Sequence, residues 1–268
     1  MITTIAVLGG GNLGRALATG WVSAGHVPAS HVHVTRRQTE KLSDLADAGF
    51  VVGSDNAAAV KACDLVVLAV QPQQLDALLA EIGGALEGGR HRVISVVSGA
   101  SIAGLREALG DGVPIVRAMP NTAVSIGESM TCLAAEEGAD EPLEEAARLF
   151  DAVGETLVIR EEMMVPATAL CACGVAFFLR CIRAASQGGI EIGFHPEEAL
   201  LLAGQTARGA AALSLKKDTH PEGEIDRVTT PRGCTIAGLN EMEHQGLSSA
   251  LIKGLIVSAR AAEGLYQD

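Results

Sequence analysis

Short apolar runs and amphipathic segments alternate through the first 160 residues. "TIAVLG", "HVHVT", "DLVVLAV", "HRVISVV" and "VPIVRAM" are rich in β-branched residues and too short for helices, so each is predicted as a strand. Several are apolar throughout, the pattern of strands covered on both faces. With helical periodicity between them they predict an α/β fold, a Rossmann-like, doubly wound parallel sheet. After Arg160 the strands stop. Segments of about Glu161–Gly193, Pro196–Lys217, Thr235–Gln245 and Leu247–Gln267 carry helical periodicity, with turn signals such as "FHPEE" between them. The change of period divides the chain into residues 1–160 and an all-α part, residues 161–268.

The helical part has more than one apolar face. "LCACGVAFFL" and "LIKGLIVSA" exceed what about 100 residues can cover, so a homodimer is expected, the helices packing against a partner's. No charge occurs from Val165 to Leu179, and Arg180 then interrupts. That run falls short of the ~20 residues a bilayer span needs, so a buried helix is predicted and no membrane partner.

Composition narrows the classes further. The 268 residues carry a net charge of −12 with 48% apolar residues, which fits a soluble globular protein and argues against nucleic acid as a partner. The six cysteines show no CxxC spacing, and no basic-then-apolar leader precedes the first strand. Reduced thiols and a cytoplasmic location are expected. The seven histidines are scattered, with His31 and His33 read as one face of the second strand, and no metal site is expected.

Gly9, Gly11 and Gly14 in "IAVLGGGNLGRALATGW" follow a strand and open a helix. In that setting the glycines permit a tight turn and close backbone approach, and the helix N-terminus, with Asn12 and Leu13 in its first turn, offers free N–H groups to a pyrophosphate. The second strand ends on Thr35, Arg36 and Arg37 where NAD enzymes place an acid. A guanidinium suits a 2′-phosphate, so NADP is expected, with NADPH preferred over NADH; the alternative is two solvated arginines. "DLVVLAVQPQQL" is predicted to bring Ala69 and Val70 to the sheet's carboxyl edge, with Pro72 starting the next helix. Asn56 is either an N-cap or a cofactor contact. Met119, Pro120, Asn121 and Thr122 of "RAMPNT" shape the pocket beside the nicotinamide, or form only a turn.

Together "GGGNLG", "LAVQP", "RAMPNT" and "VTTPRGCTIAGLNEME", in this order on a chain of this length, resemble pyrroline-5-carboxylate reductase, the last enzyme of proline synthesis. The resemblance covers essentially the whole chain. It implies a Rossmann domain followed by a helical dimerisation domain, intertwined dimers that often form rings, and NADPH reducing a cyclic imine to proline. The C-terminal stretch matches that family's [ST]-P-x-G-x-T run. A helix N-terminus is well suited to the carboxylate of an imino acid. The resemblance accordingly assigns the Gly233 and Cys234 amides and the Thr235 hydroxyl to the carboxylate, with Val228 against the ring and Thr230 in the same turn. The alternative is a helix merely capped by Thr229 or Thr230, with Pro231 in its first turn. The chain departs from the family in having Arg232-Gly233 after that proline and "CACGVAFF", Cys171 to Phe178, where a Ser-Gly-x-Gly-Pro run is usual.

Two rivals keep the glycine loop. A β-hydroxyacid dehydrogenase relies on a lysine in the first long helix after the Rossmann domain, and here no lysine occurs between Lys61 and Lys216. A non-catalytic NADPH-binding dimer has no use for the carboxylate turn.

Overall fold

The computed structural model describes residues 4–216 and 219–264. Eight strands, β1 (Ile5–Leu8), β2 (Val32–Thr35), β3 (Val51–Gly53), β4 (Leu65–Leu68), β5 (Arg92–Ser95), β6 (Ile115–Met119), β7 (Ser129–Ala135) and β8 (Gly154–Val158), form one sheet in the order β3-β2-β1-β4-β5-β6-β7-β8. All neighbours are parallel except β6 and β7. Between the strands lie α1 (Asn12–Ser23), α2 (Ser43–Asp47), α3 (Asn56–Ala62), α4 (Leu75–Ile82), α5 (Ile102–Leu109) and α6 (Asp140–Asp151).

Strand period explains the two layers. Ile5 and Val7 point into one core with α1 and α6, whereas Ala6 and Leu8 point into the other with α3, α4 and α5. Leu65 and Val67 against Val66 and Leu68 repeat the division, which is why both central strands are apolar at every position. Trp21 of α1 meets Phe150 of α6 edge to face with centroids 5.7 Å apart, a geometry that adds about 0.5–1.5 kcal/mol to their burial. On β6 the buried Arg117 is neutralised by Glu161 at 3.0 Å, and the same carboxylate oxygen accepts from the first amide of α5, Ile102 N, at 2.6 Å.

Three strands, β3, β7 and β8, are absent from the sequence expectation. β3 is short and half-exposed, β7 carries the buried polar Ser129 and Thr131, and β8 is an exposed edge, so none shows the long apolar run of a central strand. β4 ends at Leu68, two residues before the expected Val70, and Pro72 opens a 3-10 turn ahead of α4 rather than the helix itself. His31 closes a 3-10 turn before β2, leaving only His33 in the strand.

The single helix expected from Glu161 to Gly193 is broken into α7 (Met164–Ala167), a π-helical turn at Thr168–Cys173, and α8 (Gly174–Glu191). Then follow α9 (Pro196–Ser214), α10 (Pro221–Val228), which the sequence reading missed, α11 (Cys234–His244) and α12 (Leu247–Glu263). The expected ends at Lys217 and Gln267 lie outside the described residues. Two compact units result, one running to Cys173 and resuming at Ser258, the other Gly174–Val257. Within the second, α8 and α9 form a hairpin at the predicted "FHPEE" turn: His195 and Glu198 make a reciprocal capping box and Pro196 takes the first turn. Gly189 permits the close approach, since a Cβ there would lie 3.0 Å from that of Ala199.

The helix predicted as buried is only partly covered by its own chain. Phe178 and Leu179 are 64% and 58% exposed, and Ile252 and Val257 of α12 are 58% and 63% exposed. The helical run Glu161–Glu191 is long and apolar enough, by length and composition, to cross a bilayer.

Candidate functional site

The carboxyl ends of β1, β2 and β4 open onto a cleft of about 920 Å³ whose walls include Gly9, Gly11, Thr35, Arg36, Arg37 and Asn56. Ala69 and Val70 complete its floor. Gly9 and Gly10 both donate to the Thr35 carbonyl, at 3.2 and 2.7 Å, which pins the glycine loop to the end of β2. Gly9 sits at φ +113°, and a Cβ there would lie 2.5 Å from the Ala69 carbonyl oxygen. At Gly14 a Cβ would come within 2.1 Å of the Gly9 carbonyl oxygen, so α1 can approach the loop only with glycine there. Gly11 differs: a Cβ would meet nothing within 4 Å, so its surface is free for a ligand. It is the N-cap of α1, no side chain caps that helix, and no acid stands in its first turn, where Asn12 and Leu13 lie. A loop kept bare by packing, beside uncapped amides and two arginines, fits the phosphates of a dinucleotide.

The two arginines differ. Arg36 is half-buried, and its Nη1 donates to the Gly10 carbonyl at 2.9 Å, whereas Arg37 is exposed at the cleft edge. Asn56 is not the N-cap of α3. Asp55 is, its Oδ1 accepting from Ala58 N at 2.8 Å. Asn56 instead accepts from the buried Thr35 hydroxyl at 2.5 Å and donates through Nδ2 to Glu81 at 2.9 Å, with its backbone N–H 3.3 Å from the other Glu81 oxygen. Glu81 lines the cleft and was missed, because on α4 it reads as an ordinary solvated charge. Only the Asn56 amide, which needs an acceptor, hinted at such a partner.

Met119, Pro120 and Asn121 are buried at the carboxyl end of β6 and are not in the wall of that cleft. Asn121 caps a 3-10 turn, Oδ1 accepting from Ala123 N at 3.0 Å and Nδ2 donating to the Cys171 carbonyl at 3.4 Å. The exposed Thr122 opens that turn.

In the second unit, Thr230 to Gly233 form a turn closed by Gly233 N to the Thr230 carbonyl at 2.9 Å. Arg232 occupies φ +60°, a left-handed conformation where the resembling family has glycine. Gly233 cannot be replaced freely, since a Cβ would lie 2.5 Å from Thr230 Oγ1 and 3.0 Å from its carbonyl. Neither threonine caps α11, contrary to the alternative considered from sequence: Gly233 is the N-cap with no side-chain bond, and the Thr229 hydroxyl donates to the Asp226 carbonyl at 3.1 Å. Helix α11 starts at Cys234, one residue before the expected Thr235, which is half-exposed in the first turn, and Val228 is 61% exposed at the end of α10.

A mostly parallel sheet with a glycine loop and basic cleft at its carboxyl edge defines a Rossmann-type dinucleotide-binding oxidoreductase. A family model described as pyrroline-5-carboxylate reductase dimerisation matches residues 161–265, and one described as NADP oxidoreductase, coenzyme F420-dependent, matches residues 4–99. The chain is 50% identical over 271 residues to pyrroline-5-carboxylate reductase 2 of Dictyostelium discoideum, covering 95% of this chain and 90% of that one. It is also 50% identical to reductase 1 of the same organism over 98% of this chain, yet spans only 50% of that relative's length. Plasmodium falciparum pyrroline carboxylate reductase, solved with NADP bound, shares the fold at a TM-score of 0.90 with 23% identity, covering 99% and 98% of the two chains. The chain belongs to the pyrroline-5-carboxylate reductase family.

Proposed function

We propose that this protein reduces 1-pyrroline-5-carboxylate to L-proline with NADPH, the final step of proline synthesis. The observation that carries the reading is the basic, glycine-walled cleft on a chain that belongs to this family throughout its length. Gly9, Gly11, Asn12, Leu13 and Gly14 hold the pyrophosphate, Arg36 and Arg37 the 2′-phosphate, and Thr35 and Asn56 the adjoining ribose. Ala69, Val70 and Pro72, with Met119, Pro120 and Asn121 at the same carboxyl edge, shape the nicotinamide end. Bound NADPH supplies the hydride.

The chain's own part is binding and alignment. The Cys234 amide and the Thr235 hydroxyl take the carboxylate, whereas the Gly233 N–H, expected beside them, is already given to the Thr230 carbonyl at 2.9 Å; Val228 and Thr230 bound the ring. Thr235 is the one side chain proposed to touch the substrate through a charged hydrogen bond. An imine that arrives protonated needs no general acid, which agrees with a site built from amides and hydroxyls.

The functional division follows residues 1–160 and 161–268, in line with matched segments that start at residue 161 in one case and end at 99 in the other. The helical part pairs with a second copy. The exposed apolar faces of α8 and α12, in a segment matched as a dimerisation region, favour that cover over a bilayer, and dimers of this kind can close into rings. Six free thiols agree with a cytoplasmic setting.

Mixing the protein with NADPH and pyrroline-5-carboxylate and following loss of the nicotinamide absorbance tests the reading. Proline formation at catalytic turnover is expected. NADPH binding without turnover leaves the non-catalytic dimer standing instead.

A further inference from the structure

The departure "CACGVAFF" begins with a thiol that has a partner. Cys132, buried on β7, and Cys171, half-buried in the π-helical turn, lie with their sulfurs 3.8 Å apart. They approach beside the turn that follows β6: Cys132 is opposite Met119 in the β6–β7 register, and the Cys171 carbonyl accepts from Asn121 Nδ2 at 3.4 Å. We propose that Cys171 and Cys132 form a peroxide-responsive dithiol, a modification site that closes to an intrachain disulfide and lowers turnover.

The two sulfurs divide the labour. Cys171 is the more accessible, and the hydrogen bond from Cys132 draws its pKa down to about 7 against the opposing effect of burial. Cys132 is pushed upward, as the donor in that bond and by burial, so it keeps its proton. The Cys171 thiolate attacks one peroxide oxygen, forming an S–O bond as the O–O bond breaks, and the departing hydroxide takes a proton to become water. Cys132 sulfur then attacks Cys171 sulfur. The S–S bond forms, the S–O bond breaks, and the second hydroxide leaves as water with the Cys132 proton. Two thiols and one peroxide thus give one disulfide and two waters. The sulfurs must close by about 1.8 Å to reach a disulfide length, which draws the π-helical turn toward β7 and with it the carbonyl that holds Asn121.

The experiment uses the full chain in its native assembly with a Cys173→Ser background, so that fragments containing Cys171 are unambiguous. After about one equivalent of hydrogen peroxide, protein digested without reductant should yield the Cys132 and Cys171 fragments linked. NADPH-dependent turnover should fall about fivefold and return with dithiothreitol. Adding Cys132→Ser should abolish both the link and the reversible loss. Unlinked fragments, a link between two copies, or a link that leaves turnover unchanged would each overturn the proposal. The turnover arm rests on the proposed reductase activity; if unoxidised protein does not reduce the imine, that reading has failed, and the linked fragments alone decide the dithiol.

Discussion

The Thr35 hydroxyl donates to the side-chain oxygen of Asn56 at 2.5 Å, tying the end of β2 to the first turn of α3. This leaves the Asn56 amide pointing to Glu81, so that three elements fix one side chain in the cleft wall. The local sequence offers Asn56 two roles, N-cap or cofactor contact; the cap is Asp55, and Asn56 is an oriented side chain in the cleft wall.

Glu81→Gln tests that orientation. Glutamine retains one acceptor but brings a donor against either the Asn56 N–H or its Nδ2, so one of two bonds is lost, on the order of 1.5–3 kcal/mol for a charged acceptor. Removing the negative charge also favours a 2′-phosphate near Arg36 and Arg37. Initial rates should therefore show KM rising about tenfold for NADH and clearly less for NADPH. Unchanged KM for both cofactors would mean that Glu81 orients nothing that matters to binding.

The arginines should separate. Arg36 also holds the Gly10 carbonyl at 2.9 Å, so Arg36→Ala is expected to weaken both cofactors. Arg37 has no such second role, and Arg37→Ala should raise KM for NADPH alone. The double change should cost NADPH about tenfold or more, on the order of 1.5–3 kcal/mol. Equal losses for both cofactors in Arg37→Ala would remove it from the 2′-phosphate site.

What the sequence made legible follows from where information is local. Ile5 to Leu8 and Leu65 to Leu68 are apolar at every position because both faces are covered, so the central strands stand out. β8 carries a weaker pattern, since an edge strand needs only partial cover, and β7, though covered, interrupts its apolar run with the buried Ser129 and Thr131. Gly9, Gly11 and Gly14 were readable because turn and helix lie within six residues, whereas Glu81 lies 25 residues from Asn56 and only folding joins them. The apolar helix was visible too, but which surface covers it is not a property of one chain.

Assembly is checked directly. Sedimentation at micromolar concentration should give a dimer or a multiple of it, because the exposed Phe178, Leu179, Ile252 and Val257 would otherwise face water. An active, clean monomer refutes the dimer.

Cys171 should be the fast thiol. A pKa lowered to about 7 means that thiolate accumulates as pH rises through that value, whereas an ordinary cysteine needs about pH 8.5. Iodoacetamide labelling followed by peptide mass should show Cys171 modified with a midpoint near pH 7. Cys132→Ser, which replaces the donating thiol, should shift that midpoint. A wild-type midpoint at the ordinary value removes the shared proton.

Thr235 carries the substrate prediction. It stands in the first turn of α11, where Gly233 is the N-cap and no side chain caps the helix, an end suited to an anion. Thr235→Val keeps the shape and removes the donor. Loss of one hydrogen bond to a charged group should lower kcat/KM for pyrroline-5-carboxylate about 10- to 100-fold, roughly 1.5–3 kcal/mol, because the carboxylate sets where the imine carbon lies. NADPH affinity, followed by fluorescence without substrate, should barely move, since the cofactor's proposed contacts lie elsewhere on the chain. A variant with wild-type kcat/KM would put the carboxylate in another place, and one that loses NADPH affinity as well would make this turn a cofactor contact.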